Sequence, residues 1–387
     1  MPQRRYRSLD HWRGIACLLV VVYHSTIVYL ATTTDRTSWA NAAANFTHRF
    51  NVGVALFFVI SGYCISAAAD SARRRNASVG DYFVRRFRRI YPPYWIVVVF
   101  SIGLFFLVDY RWSHPLLSTE PWMQYRPWWY SPSQWIGNLT LTETWRHYVF
   151  GGIRGHFPGQ AWTLCYEEQF YFVTGMALLL ARRRFFPAMA LVTAATLCVQ
   201  GLAAASGTTV NGFFFDGSWV LFGAGVAVFY RLHHATRAAA YAIDVLLLLM
   251  IPVTFALPVP IYGASVGFAF AAALPWLYRY DDWLSSSAAF RPLLRCGQMC
   301  YSLYLVHQIP VKAVSMALYR SGVTTATATL LVTTPAAVLV SVALGWTFHV
   351  KVERRFLNSQ PRSEDAAQHR SALFGLRPEL QTRAIGT

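Results

Sequence analysis

The chain has 387 residues, of which 55% are hydrophobic, 16% aromatic and only 13% charged, with a mean hydropathy of +0.33. A soluble domain usually carries about 25% charged residues and spreads its apolar residues in amphipathic patterns. Here they come in uninterrupted blocks, which excludes a soluble globular protein. The net charge of +17, from 34 Lys plus Arg against 17 Asp plus Glu, would suggest nucleic acid in a soluble chain. Only Lys312 and Lys351 are lysines, and most arginines fall in short segments between apolar blocks, so the charge reports membrane topology instead.

Stretches long enough to cross a bilayer fall near 9–30, 51–69, 91–110, 162–181, 186–205, 213–230, 241–257, 260–278, 299–319 and 325–350. The pattern predicts an all-α, polytopic helical bundle of about ten transmembrane helices, multi-pass in the cell membrane. An even number of spans places both termini on one side. Arg4, Arg5 and Arg7, the run Arg73 to Arg89, Arg182 to Arg184, Arg231, Arg237, Arg279, Arg291, Arg295, Arg354 and Arg355 share that side, which the positive-inside rule makes cytoplasmic. The transmembrane domain covers 1–357, with one long outer loop at 111–161, and 358–387 reads as a polar cytoplasmic tail. The first apolar run is long and contains His24, so it is not a cleavable signal peptide. Six scattered cysteines form no CxxC pair and no Cys/His ligand set, so no metal site is expected.

Ionisable groups inside a bilayer cost roughly 2.5–3.5 kcal/mol each on insertion scales, so each one calls for a partner or a purpose. In the first span Arg13 and His24 are eleven residues apart, which puts them on one helix face about 16 Å apart along the axis, with Asp10 near the same face. In the second span Ser61 and Gly62 allow a helix or a thin ligand to approach closely. The third opens with Arg85, Arg86, Phe87, Arg88 and Arg89, a cluster that serves as a positive-inside anchor or as a dock for phosphate oxygens. The outer loop is rich in Trp (Trp112, Trp122, Trp128, Trp129, Trp135, Trp145) and reads as an interfacial aromatic layer or an acceptor lid. The fourth span runs from Trp162 through Glu167 and Glu168 to Tyr171. Counted from its outer end, Glu167 is at a depth of about 8 Å and His24 at about 9 Å, so the two are expected to face each other. Glu168 points elsewhere on that helix. His307 is a second intramembrane histidine, in a helix that Pro310 is expected to kink.

Taken together, Arg13 with His24, the segment Phe57 to Gly62, the basic run ending in Arg89-Ile90-Tyr91-Pro92-Pro93, Trp162 to Tyr171, and Tyr301 to His307 resemble the membrane-bound acyltransferase 3 family. Its members move acyl groups from acyl-CoA to hydroxyls of sugars, polysaccharides or antibiotics. The resemblance implies that His24 is the catalytic base and Glu167 its supporting carboxylate. It also implies that Arg13 and an arginine pair, Arg86 with Arg89 or Arg85 with Arg88, bind the donor. Ser61, Trp162, Tyr171 and His307 would line the substrate passage. Thr163 stands where the family usually has Ser, and keeps the hydroxyl. Because no extracytoplasmic hydrolase-like domain is attached, the chain looks like the single-domain branch, similar to macrolide O-acyltransferases of antibiotic biosynthesis.

The expected activity is therefore transfer of a short acyl group, acetyl or similar, from acyl-CoA as co-substrate to a macrolide or other glycosylated acceptor, with cell-surface polysaccharide as the alternative. No permanently bound cofactor and no nucleic acid is expected; membrane lipid is the surrounding partner. A transporter is the main rival, since buried His, Arg and Glu also build proton relays.

Overall fold

The computed structural model describes residues 6–33, 38–112, 127–208, 210–212, 216–256 and 263–357. Arg4, Arg5, Arg36, Arg126, Trp122, the turn after the seventh apolar stretch and the 358–387 tail lie outside the described residues. Each of the ten apolar stretches is helical where described: Leu9–Thr32, Gly53–Arg74, Val79–Trp112, Trp162–Leu180, Phe185–Ala205, Ser218–His233, Arg237–Ala256, Ala264–Leu277, the pair Cys300–Val306 and Gln308–Arg320, and Thr334–Lys351. Among the described residues there is no strand.

Among the described residues six helical stretches are long and apolar enough to cross a membrane: Leu9–Thr32, Trp39–Arg74, Val79–Leu107, Arg182–Ala205, Arg237–Phe255 and Ala326–Arg355. The chain is an all-α, multi-pass membrane protein. The other four of the ten miss that mark for identifiable reasons. Ser218–His233 and Ala264–Leu277 are 16 and 14 residues long, Trp162–Leu180 carries Glu167, Glu168 and Gln169, and the ninth stretch is broken at His307. Pro310 has no N–H to offer the Val306 carbonyl, which accounts for the break.

Burial separates inner from outer helices. The apolar window of Trp39–Arg74 is 61% buried, whereas that of Arg237–Phe255 is 6% buried, so the latter turns nearly all of its surface to lipid. Gly53–Arg74 holds the centre by crossing Ser218–His233 at two glycines. A Cβ on Gly62 would lie 2.0 Å from the Phe222 carbonyl oxygen, and one on Gly225 2.0 Å from that of Val59. Small residues at such a crossing let backbones approach and gain dispersion contacts where lipid offers no hydrophobic drive. The start of the first helix is pinned by Asp281, fully buried, which accepts from the backbone N–H of Ser8 at 2.7 Å and of Arg7 at 3.2 Å.

The described part of the outer loop packs against the Val79–Trp112 helix and leaves much of its apolar surface exposed. Residues 131–150 fold as two short helices, Pro132–Leu139 and Glu143–Phe150, the first opened by a capping box of Ser131 and Gln134. Their connecting tip docks on the side of the Val79–Trp112 helix. Tyr91 donates to the Thr140 carbonyl at 3.1 Å, Tyr94 to that of Asn138 at 2.9 Å, and the Trp95 indole to that of Leu139 at 2.9 Å. Tyr91 lies about 18 Å along the Val79–Trp112 helix, so the tip meets its interior and not its end. Non-helical backbone is tolerated at such depth only when protein satisfies its polar groups, as these three side chains do. A buried pair, Arg146 to Glu143 at 2.7 Å, locks the hairpin, with Arg146 also donating to the Gly151 and Ile153 carbonyls. Trp128 and Trp129 remain exposed, and Trp135 packs edge-on against Phe157.

Candidate active site

A cavity of about 810 Å³ opens between the first three helices and Trp162–Leu180, lined by Asp10, Arg13, Ser61, Cys64, Arg74, Arg86, Arg89, Glu167, Tyr171 and His233 among others. Four guanidinium groups thus face two carboxylates, an excess of positive charge inside an apolar bundle, which suits an anionic ligand with several oxygens. Arg13 is paired to Asp10 at 2.8 Å. Arg86 lies over the Tyr171 ring, 5.0 Å from its centroid, and over that of Tyr82 at 5.6 Å. Of the two arginine registers, Arg86 and Arg89 line this cavity, whereas Arg85 and Arg88 do not, and Arg88 is exposed. The cause is the 3.6-residue period, which turns positions 86 and 89 to one face.

Glu167 sits at the narrow end. It accepts from the Tyr171 hydroxyl at 2.5 Å and from Ser61 at 3.2 Å. Here the cavity continues into a tighter space of about 80 Å³ lined by Arg13, Phe57, Ser61, Arg89, Thr163, Glu167, Tyr301 and Tyr304. Its wall is made by Tyr304, whose hydroxyl bonds Thr163 and the Gln160 carbonyl. Gln160 in turn lines a small space of about 20 Å³ with Ser101, Phe105, Gln308 and Lys312. Through its carbonyl bond to Tyr304, Gln160 connects the linings of the two spaces.

His24 lies further along the first helix, about 16 Å from Arg13. Its ring contacts those of His307, with centroids 5.2 Å apart, and Tyr23, at 4.7 Å. No hydrogen bond joins His24 to Glu167, which stands level with Arg13 instead. The expected meeting depended on the Trp162 helix starting at the outer surface. It starts among buried residues instead, since Phe157, Gln160 and Ala161 just before it are packed inside the bundle. Gln160, just before that helix, donates to the Leu305 carbonyl at 2.6 Å, and Phe157 packs on Phe105.

Trp162 is 39% exposed and packs edge-on against Tyr166 at 5.9 Å, away from both cavity spaces. Glu168 faces the other way, into a separate, mostly apolar cavity of about 740 Å³ with Tyr91, Thr140, Trp145 and Phe172. Among the described residues no three His, Cys, Asp or Glu side chains gather as a metal site would require. Sequence reasoning missed Arg74 and His233 at the cavity mouth, since at helix ends they look like topology anchors. It missed Gln160 because that residue lies outside every apolar stretch.

The chain is 23% identical over 350 residues to a Bacillus subtilis (strain 168) protein named "Putative peptidoglycan O-acetyltransferase YrhL", covering 81% of this chain and 50% of that protein. It is 26% identical over 170 residues to the peptidoglycan O-acetyltransferase OatA of Listeria monocytogenes serovar 1/2a, covering 43% of this chain and 23% of that protein. The chain thus spans about half the length, or less, of the curated relatives it matches. No solved structure matches it. Residues 6–350 match an acyltransferase domain, the arginine-lined cavity and the His24 helix included, and the chain belongs to the acyltransferase 3 family.

Proposed function

We propose that the protein is a membrane O-acetyltransferase that carries an acetyl or similarly short acyl group from acyl-CoA to a hydroxyl of a cell-surface glycan of the peptidoglycan class. The observation that carries this reading is the arginine-lined cavity whose wall includes the same helix that bears His24. A donor with its anionic groups among Arg13, Arg86 and Arg89 would need a long arm to bring a reactive carbonyl to His24, about 16 Å away along that helix. Acyl-CoA combines phosphates, such an arm and a terminal thioester.

The basic end of the bundle, with both termini, is cytoplasmic in this reading. His24 takes the proton of the acceptor hydroxyl, the oxygen attacks the thioester carbonyl, and the CoA thiolate leaves and takes the proton from the imidazolium. Glu167 belongs to the donor cavity, where it holds Ser61 and Tyr171 and sets the charge beside the arginines. The names of both relatives favour a glycan acceptor; neither supports the macrolide expected from the single-domain resemblance.

The test uses the full chain in lipid nanodiscs with acetyl-CoA and, in parallel, muropeptides and a hydroxylated macrolide, read by mass and by release of free CoA. Acetylated muropeptide with the wild type, and none with a correctly inserted His24→Ala variant, supports the proposal. Equal product from both removes His24 from the chemistry, and acetylated macrolide alone restores the other acceptor. Movement of a solute across the membrane without acyl-CoA would favour a transporter.

A further inference from the structure

We infer that His307 is the positioning residue of the reaction, the neutral acceptor toward which the N–H of the His24 imidazolium turns. The inference rests on the reading of His24 as the base, and it assigns to His307 the part that the sequence led us to expect of Glu167.

Three observations carry it. The His307 side chain is buried, with 1% of its surface exposed, and its ring is 5.2 Å from that of His24, tilted by 46°. Its Nδ1 lies 2.7 Å from the Tyr304 carbonyl oxygen. A carbonyl only accepts, so Nδ1 carries the hydrogen, and in the neutral ring Nε2 is then a bare lone pair. That Nε2 is fully buried and has no hydrogen-bond partner among the described residues. Buried polar atoms in native interiors are nearly always paired, so an orphan beside a catalytic group calls for an explanation.

The surroundings of His24 supply one. The other titratable side chains facing it are His48 from the segment after the first helix, Lys312 from the Gln308–Arg320 helix, and Tyr23 from its own helix. Lys312 can only add positive charge, whereas the ring in contact with that of His24 from the ninth stretch is that of His307. When His24 takes the acceptor's proton, the bare lone pair on His307 offers its N–H an acceptor inside the bundle. In triads of hydrolases a buried carboxylate fixes the tautomer and orientation of the base. Here a second imidazole, itself fixed by a backbone carbonyl, would do so without adding a charge to the bundle. Catalytic hydrogen bonds are often open before substrate arrives, and rotation of the His24 ring about its terminal torsion closes this one. The helix break at His307 is part of the device, since it sets the ring between the Tyr304 carbonyl and the first helix.

The test has one arm that needs no catalysis and one that does. In the full chain in nanodiscs, labelled with ¹⁵N-histidine and assigned with His24→Ala, His307 should show a protonated Nδ1 and a bare Nε2. On acidification an N–H···N signal shared with His24 should appear, and be absent from His307→Leu. In acetyl transfer to muropeptides, His307→Leu should lower kcat on the order of 100-fold with the acetyl-CoA KM unchanged, the scale of a lost acid–base contribution. His307→Gln, whose amide oxygen can accept from His24, should recover at least about tenfold of that loss. A protonated Nε2 in the resting protein, the absence of the shared signal, or equal losses for Gln and Leu in well-folded protein would overturn the inference. Should the wild type acetylate nothing, the proposed function fails while the NMR arm still decides where the proton sits.

Discussion

Replacing Glu167 by Gln separates two roles for this side chain that the sequence could not tell apart. Gln keeps an acceptor for Tyr171, at 2.5 Å, and for Ser61, at 3.2 Å, so the local structure should survive and only the charge is lost. If Glu167 is part of the donor cavity, its carboxylate repels the donor phosphates. For a phosphate charge about 7 Å away and an effective dielectric constant of about 20, that repulsion is roughly 2.4 kcal/mol. Neighbouring Arg13, Arg86 and Arg89 compensate part of it. The expected result is therefore an acetyl-CoA KM lowered by about 10- to 50-fold, with kcat changed by less than about threefold. If Glu167 instead oriented His24, the substitution would leave KM alone and lower kcat by about 10²- to 10⁴-fold. Initial rates of CoA release against acetyl-CoA concentration, at saturating muropeptide, distinguish the two. A large fall in kcat at constant KM would refute the assignment of Glu167 to the donor cavity.

Four further outcomes are expected. Arg89→Ala should raise the acetyl-CoA KM at least about tenfold while Arg88→Ala, on an exposed side chain, leaves it within about twofold, measured in the same assay. Gly62→Ala should destabilise by about 1–3 kcal/mol in thermal unfolding, because the new methyl meets the Phe222 carbonyl, whereas Gly103→Ala meets nothing within 4 Å and should be neutral or mildly stabilising. Arg146→Met leaves Glu143, fully buried, without its cation and should cost about 3–5 kcal/mol; the double variant with Glu143→Leu should regain part of this in the same measurement. Burial, helped by Arg154 and Arg146, pushes the His156 imidazole down to about 4 from its usual 6.5. The unfolded chain then takes up a proton as pH falls below about 6.5 while the folded one does not until about 4, so stability should decline across that window. His156→Gln should flatten this decline in melting curves between pH 7 and 4.

The helices were legible because a bilayer leaves a chain few other ways to satisfy its backbone, and a continuous apolar run advertises the result. All ten predicted stretches are helical where described, and Arg13, Ser61, Arg86, Arg89, Glu167 and Tyr171 do share one cavity. What periodicity could not give was depth. Helical phase fixes which face a residue occupies, but it left two registers of the arginine run open, and only packing shows that Arg86 and Arg89 line the cavity. Height across the membrane depends on where a helix begins, and Trp162–Leu180 begins among the buried residues Phe157, Gln160 and Ala161, whose contacts, such as that of Gln160 with the Leu305 carbonyl, are long-range in sequence. Glu167 and His24 consequently stand at different levels. The contact of His24 with His307 was equally hidden, since it depends on two helices 283 residues apart packing side by side.

The layer formed by Tyr304, Thr163 and the Gln160 carbonyl also bears on insulation. A bilayer blocks ions because some 30 Å of hydrocarbon lies in their way. In this protein Tyr304, Thr163 and the Gln160 carbonyl stand inside the bundle where a lipid-filled gap would otherwise hold hydrocarbon, with Tyr304 lining the space of about 80 Å³ and Gln160 that of about 20 Å³. Closure at that level therefore comes from hydrogen-bonded side chains and not from lipid, and Tyr304 is the residue that joins the Thr163 hydroxyl to the Gln160 carbonyl there.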